Sequence, residues 1–272
     1  FDVGIAEQHA VTMAAGLASQ GKRPVVAVYS TFSQRAFDSL IHDVCLQNLP
    51  VVLALDRAGL VGEDGPTHHG SFDLSFARMI PNLTIMAPKD EAELRDMLHT
   101  ALTVNGPVLL RYPRGRSEGF ELSAEPSLLP IGQGEWLRQG GDLVFVAVGT
   151  MVQAAVKAAD ILKKTGISAG VVNARFVKPL DEALLCKIAG HARYIVTLEE
   201  NSLMGGFGSA VLETLNSLGI EGPKVLRLGL PDRFIEQGSR EELLECLGLN
   251  PAGIASKVQQ FVGVDSCVIT SA

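Results

Sequence analysis

One carboxylate, Glu7, stands among Ile5, Ala6, Ala10 and Val11, where an apolar run gives way to a helical pattern. In a first helical turn its charge complements the helix dipole and can cap free backbone amides. In a partly desolvated junction its proton affinity rises instead, and it can serve as an acid or base. Further along stand Tyr29, Phe32 and Arg35, then Arg57, Asp64, His68 and His69, and last Arg111, Arg114 and Arg116. Guanidiniums clustered at a strand end suit a phosphate or a carboxylate, because the fork of donors is permanently charged. Adjacent histidines lack the geometry of a chelating i, i+4 pair, so no metal ligand is assigned. Each side chain also has a plain role open to it: Tyr29 and Phe32 as core aromatics, Arg35 as a solvated helix residue, Asp64 as a turn former.

These groups matter only if the backbone brings them together, and the hydrophobic pattern indicates how. Residues 1–5 read as a short strand running into a helix that continues to about residue 20, closed by Gly21. Continuous apolar runs at 24–30, 50–56, 84–87 and 107–112 suit strands buried on both faces of a parallel sheet. Helical periods at 32–47, 72–79 and 90–103 alternate with them, and Thr31 is placed to cap the first. Residues 57–70 break this beat with four glycines, a proline and no period, and so long a loop is uncommon in a compact domain unless it is functional.

Polar text rich in Gly and Pro follows. Residues 119–134 are the expected linker between a first domain at 1–118 and a second at 135–272. In the second, strands at 143–148, 168–173, 194–199 and 224–229 alternate with helices at 151–164, 180–190, 207–218, 239–247 and 251–262. The expected fold class is α/β, two consecutive parallel-sheet domains. Ligands of such sheets collect at the carboxyl ends of strands. Glu7, Tyr29 to Arg35, Arg57 to His69 and Arg114 all fall just past strand ends, so they are expected to converge on one edge. The stretch from Glu199 to Ser209 superficially resembles a phosphate loop, but it lacks G-x-G-x-x-G spacing and its acids would repel an anion. It reads better as a helix start built for close packing or partner contact.

Bulk properties narrow the function. A net charge of -7 argues against a general nucleic-acid surface, which needs clustered cations. Cys45, Cys186, Cys246 and Cys267 form no C-x-x-C pair, so neither a disulfide framework nor a thiolate zinc site is suggested, and a reducing compartment fits. No apolar run approaches the roughly 20 residues that span a bilayer. The chain opens in mid-pattern without Met, so a fragment, subunit or processed product is expected.

The motifs D-V-G-I-A-E-Q-H-A-V-T (2–12), Y-S-T-F-x-Q-R-A-F-D (29–38), D-R-A-G-L-V-G-E-D-G-P-T-H-H-G (56–70), M-A-P-K-D-E (86–91), R-Y-P-R-G (111–115), R-F-V-K-P-L-D (175–181) and G-L-P-D-R-F-I-E-Q-G (229–238) run along the whole chain. Together they resemble the C-terminal portion of the thiamine-diphosphate enzymes of the transketolase group, and within it the 1-deoxy-D-xylulose-5-phosphate synthase family. The resemblance implies a pyrimidine-binding domain at 1–118, incomplete at its N-terminus, and then a transketolase C-terminal domain. It also implies an N-terminal domain outside this chain, with a G-D-G motif that holds Mg²⁺ and the diphosphate. The implied reaction is the decarboxylative condensation of pyruvate with glyceraldehyde 3-phosphate to 1-deoxy-D-xylulose 5-phosphate, which serves isoprenoid, thiamine and pyridoxal biosynthesis.

By position, Glu7 resembles the glutamate that hydrogen-bonds the cofactor's aminopyrimidine, and Phe32 the aromatic that stacks on it. Tyr29 and Arg35 match residues near cofactor and acceptor. Arg57 and Arg114 match the pair that grips the acceptor phosphate. Asp64 and His68 match groups that face the substrates, His68 as a proton shuttle, while His69 is given no fixed role. The family further implies a homodimer with no nucleic-acid or membrane partner, in the bacterial cytoplasm or a plastid stroma. Without the N-terminal part, this chain is expected neither to bind cofactor tightly nor to turn over. The rival readings are the β subunit of a 2-oxoacid dehydrogenase E1, a split transketolase subunit, and an inactive dimerising module.

Overall fold

The apolar runs of the first half become β1 (Val25–Tyr29), β2 (Val52–Asp56), β3 (Thr84–Met86) and β4 (Val108–Arg111), all parallel, in the order β1-β2-β4-β3. β2 and β4 are buried along their apolar lengths, as uninterrupted runs of Val and Leu require. The structure is a computed structural model that describes residues 1–117, 119–120 and 122–269. Position 118 at the expected domain end, position 121 in the expected linker, and 270–272 lie outside the described residues.

Helices fill the connections. α1 (Glu7–Ser19) lays Ala10, Ala14, Ala15 and Ala18 into the core, where small side chains allow close approach. The expected helix at 32–47 is not uniform: Phe32–Ala36 is a 3-10 turn, α2 (Phe37–Ser39) a short α segment and Leu40–Cys45 π-helical. Thr31 does not cap it, because Thr31 is itself in helical conformation and its hydroxyl faces the Thr67 carbonyl at 3.5 Å. Residues 1–5 form no strand. Gly4 has φ +66° and its N–H bonds Asp2 Oδ1 at 2.8 Å, a local turn that ends any extended run. α3 (Asp73–Ala77) and α4 (Glu91–Ala101) complete the first series.

In the second half β6 (Leu143–Ala147), β7 (Ala169–Asn173), β9 (Tyr194–Ser202) and β10 (Lys224–Leu230) are parallel, in the order β10-β9-β6-β7. α5 (Met151–Lys164), α6 (Glu182–Ala189), α7 (Phe207–Ser217), α8 (Arg240–Cys246) and α9 (Pro251–Ile269) accompany them. Two short antiparallel edge strands are additional to the sequence pattern. β5 (Glu135–Arg138) pairs with β7, and β8 (Phe176–Lys178) leaves the second half to pair with β3 of the first sheet.

That crossing strand is reinforced by a buried polar cluster. Glu93 accepts from Asn173 Nδ2 at 2.9 and 3.0 Å, Arg175 Nε at 2.7 Å and the Lys89 backbone N–H at 2.8 Å. Burial alone would raise the Glu93 carboxyl's pKa, but the Lys89 ammonium, the Lys89 amide, Arg175 and Asn173 together hold it below the ordinary range. Among the described residues no helix is long and apolar enough to cross a membrane.

Candidate functional site

Because β1, β2 and β4 are adjacent and parallel, their carboxyl ends share one edge. The register sets Tyr29 beside Asp56 and Leu55 beside Arg111. The loops that leave these ends carry most of the chemistry-bearing side chains.

Glu7 is the first residue of α1, after the N-cap Ala6, and its Oε2 caps no backbone amide. It is 8% exposed, and its Oε2 is buried without a hydrogen-bond partner. Arg35 Nη1 stands 3.7 Å from that oxygen, close enough for charge attraction but beyond hydrogen-bond length. Glu7, Tyr29, Phe32 and Arg35 all line a cavity of about 780 Å³ between residues 1–5, α1 and β1.

A second set of contacts links the strand ends. The rings of Tyr29 and Phe32 are stacked at 5.3 Å, and Phe32 meets the edge of His68 at 5.3 Å. Arg57 lies over the Tyr29 ring, its Cζ 3.7 Å from the centroid, and pairs with Asp56. Arg57 is a non-glycine residue at φ +59°, held there by its N–H bonding Asp56 Oδ1 at 2.6 Å. His68 Nδ1 is 2.9 Å from Thr67 Oγ1. Asp64 and Arg114 form an ion pair with each other, both about half-exposed.

The structure thus joins Tyr29, Phe32, Arg57 and His68 directly, sets Glu7 and Arg35 on the same cavity as the two aromatics, and pairs Asp64 with Arg114. Arg111 departs from the expected anion cluster. It is 5% exposed and forks onto Asp73 at 2.7 and 3.0 Å, so it is a structural ion pair rather than a ligand group. His69 does have a fixed place: it is buried, its Nδ1 accepts from Val61 N–H at 3.1 Å, and its Nε2 donates to the Glu236 carbonyl at 3.3 Å. No local pattern marks that role, since Glu236 is distant in sequence. Among the described residues no group of three or more His, Cys, Asp or Glu side chains could hold a metal ion.

At the stretch that superficially resembles a phosphate loop, Glu199 accepts the Phe207 and Gly208 amides at 2.7 and 2.8 Å. A carboxylate thus occupies the helix N-terminus that an anion would need.

Comparison with known proteins fits this architecture. Residues 1–118 match the family model described as transketolase, pyrimidine binding domain, and residues 132–254 the one described as transketolase, C-terminal domain. The chain is 58% identical to 1-deoxy-D-xylulose-5-phosphate synthase 1 of Geobacter sulfurreducens over 96% of its own length and 41% of that protein's. It is 57% identical to 1-deoxy-D-xylulose-5-phosphate synthase of Thermomicrobium roseum over all of its length and 43% of that protein's. The chain therefore spans less than half the length of these relatives. Among solved structures, a transketolase from Campylobacter jejuni shares the fold at TM-score 0.77 and 19% identity, over 96% of this chain and 39% of that one. A structure described as a split gene transketolase, inactive beta4 tetramer, matches at TM-score 0.86 and 35% identity, covering 96% of this chain and 83% of that one. With the two domain models met in order along one chain and a split transketolase matched over most of its length, the chain belongs to the transketolase family.

Proposed function

We propose that this chain forms the pyrimidine-side half of a thiamine-diphosphate site, in an enzyme that condenses pyruvate with glyceraldehyde 3-phosphate to give CO₂ and 1-deoxy-D-xylulose 5-phosphate. The observation that carries the reading is Glu7: a buried carboxylate oxygen without a partner, at a cavity whose lining includes Tyr29 and Phe32. An orphaned buried acceptor is costly unless a ligand donor meets it, and flat aromatic walls suit a heterocycle. The residues therefore fit an aminopyrimidine. When bound, thiamine diphosphate supplies the carbon nucleophile and the electron sink for loss of CO₂. Glu7 holds a proton at the ring nitrogen it faces, and Phe32 packs against the ring. Arg57 and Arg114 bind the acceptor's phosphate through forked charged donors. His68, in contact with Phe32 and within reach of the same loop, moves a proton to or from the acceptor.

The relatives named as this synthase are more than twice as long as the chain. We assign the Mg²⁺ and diphosphate ligands to the remainder of a polypeptide of that length, and a homodimer as the working state. The test uses such a full-length polypeptide. Glu7→Gln should bind thiamine diphosphate but exchange its C2 proton at least ~100-fold more slowly, as loss of acid-base assistance requires. Unaltered exchange with retained binding would remove Glu7 from this role.

A second reading is a natural subunit of a two-chain transketolase, favoured by the 83% coverage of a split transketolase chain. Native purification followed by mass spectrometry separates the two, because only the second reading yields a distinct companion polypeptide.

A further inference from the structure

The loop that carries Arg57, Asp64 and His68 belongs to the first half of the chain, yet its backbone is held by the second. The central contact is Glu200, at the end of β9, with a side chain only 2% exposed. Its Oε1 accepts from Leu60 N–H at 2.8 Å and from Arg240 Nε at 3.1 Å. Its Oε2 accepts from Thr150 Oγ1 at 2.9 Å and from the Nη2 of Arg240. Every one of these donors needs an acceptor, and one carboxylate has lone pairs enough for all four.

The loop is shaped around this group. Gly59 has φ +79°, and a Cβ there would stand 2.7 Å from the Glu200 carboxyl carbon and Oε1. Only glycine gives both the backbone conformation and the approach. Next to it Leu60 is fully buried. The far end of the loop is fixed by Arg111, which donates to the carbonyls of Gly70 and Glu200 at 3.3 and 3.2 Å. Gly59 and Gly70 exchange backbone bonds at 2.8 Å across the loop's base, so Leu60 sits where the excursion begins, while His69 bonds the Glu236 carbonyl further out.

We infer that Glu200 is a positioning residue: through Leu60 it sets the place of the loop bearing Arg57, Asp64 and His68, and so tunes affinity for the phosphorylated substrate without touching it. A buried carboxylate is a costly device for mere cohesion, since apolar packing would serve as well. What the charge adds is a defined register between Leu60, Thr150 and Arg240, one group from each of three elements. The inference rests on the reading of Arg57 and Arg114 given under Proposed function, but its first test does not.

That test is hydrogen exchange on the ligand-free chain. Glu200→Gln keeps the size but turns an amide NH₂ toward Thr150 or Arg240, and should speed exchange of amides 59–70 about tenfold while β6 amides are unchanged. Thr150→Val, which removes one donor and keeps the volume, should act in the same direction and serves if the first variant does not fold. The second arm is kinetic, in a polypeptide of the relatives' length. Glu200→Gln should raise KM for the phosphorylated aldehyde about tenfold, with kcat within about threefold and KM for pyruvate unchanged. Glu93→Gln, in the other cluster joining the halves, should lower stability and leave both KM values alone. Unchanged exchange in both variants overturns the inference, as does a KM change no different from that of Glu93→Gln. If Arg114→Ala leaves KM for the aldehyde unaltered, the phosphate reading falls instead, and exchange alone decides whether Glu200 holds the loop.

Discussion

The guanidinium of Arg57 lies over the ring of Tyr29, its Cζ 3.7 Å from the centroid, although the two residues come from different strand ends. Parallel pairing makes this possible: β1 and β2 run side by side with Tyr29 opposite Asp56, so the residue after Asp56 turns back across the ring. The left-handed backbone at Arg57 costs on the order of 1 kcal/mol or more. The Asp56 bonds and the ring face offset that cost, leaving a preset cation over Tyr29.

Removing the ring should therefore loosen the cation. In a full-length polypeptide, Tyr29→Ala is expected to raise KM for the phosphorylated acceptor about 2- to 30-fold, the range of a lost cation–π contact. Tyr29→Phe keeps the ring and should change it little. Equal effects of both substitutions on KM would point to the hydroxyl instead.

The ladder of β2 and β4 was legible because Val, Leu and Ala runs without polar interruption suit the inside of a parallel sheet. β1, expected from the same composition to be buried on both faces, is instead an edge strand in which Val25 is 46% exposed. The meeting of Tyr29 and Arg57 at one edge followed from the same parallel-sheet logic, while Arg114, past β4, is paired with Asp64 of the 57–70 loop. β8 was not legible: Phe176, Val177 and Lys178 are too few for a period, and their partners in β3 lie far back in the chain. Residues 1–5 misled for the opposite reason, since an apolar composition suggested a strand where Asp2 and Gly4 form a turn. The roles of His69 and Glu200 were not legible, because their partners, Glu236 and Leu60, are set only by tertiary packing. Arg111 read as a ligand group because its sequence neighbours are also arginines, whereas burial against Asp73 decides its role.

That buried pair should be costly to break by removing one partner, whatever its net contribution. Arg111 and Asp73 side chains are 5% and 0% exposed, so Asp73→Asn strands a desolvated guanidinium and should cost about 3–5 kcal/mol in urea unfolding. The half-exposed pair Arg138–Asp160 gives the contrast: Asp160→Asn should cost under about 1 kcal/mol. Comparable losses from the two would mean that burial is not what sets the difference.

Thiol chemistry should sort by depth. Cys45 is 2% exposed, and burial pushes its pKa up to about 12, with the nearby Lys178 ammonium only partly opposing this. Cys186 and Cys246 are exposed. With a thiol reagent near pH 8, peptide mapping should find Cys186 and Cys246 labelled in the native chain and Cys45 labelled only in denaturant. Native labelling of Cys45 at the rate of Cys186 would contradict its place in the core.

Glu199 provides a pH test of the second sheet. Its side chain is buried behind α7, and burial pushes its pKa up to about 7 even though the Gly208 and Phe207 amides, Arg111 and Arg227 all pull it down. The folded state thus holds this proton more tightly than the unfolded chain, where glutamate titrates near its ordinary value. Stability from this group is fully present below about pH 4.5, is lost as pH rises toward 7, and is level above that. Glu93 has the opposite sign, because its folded pKa is lowered, and its contribution is lost only in acid below the ordinary glutamate range. Between about pH 5 and 7 the Glu199 slope should therefore be the one that shows. Urea midpoints measured across that window should fall with pH in the parent chain and flatten in Glu199→Gln, which keeps an acceptor for one of the two amides without a titrating proton. A slope that persists in the variant would assign the proton to another group.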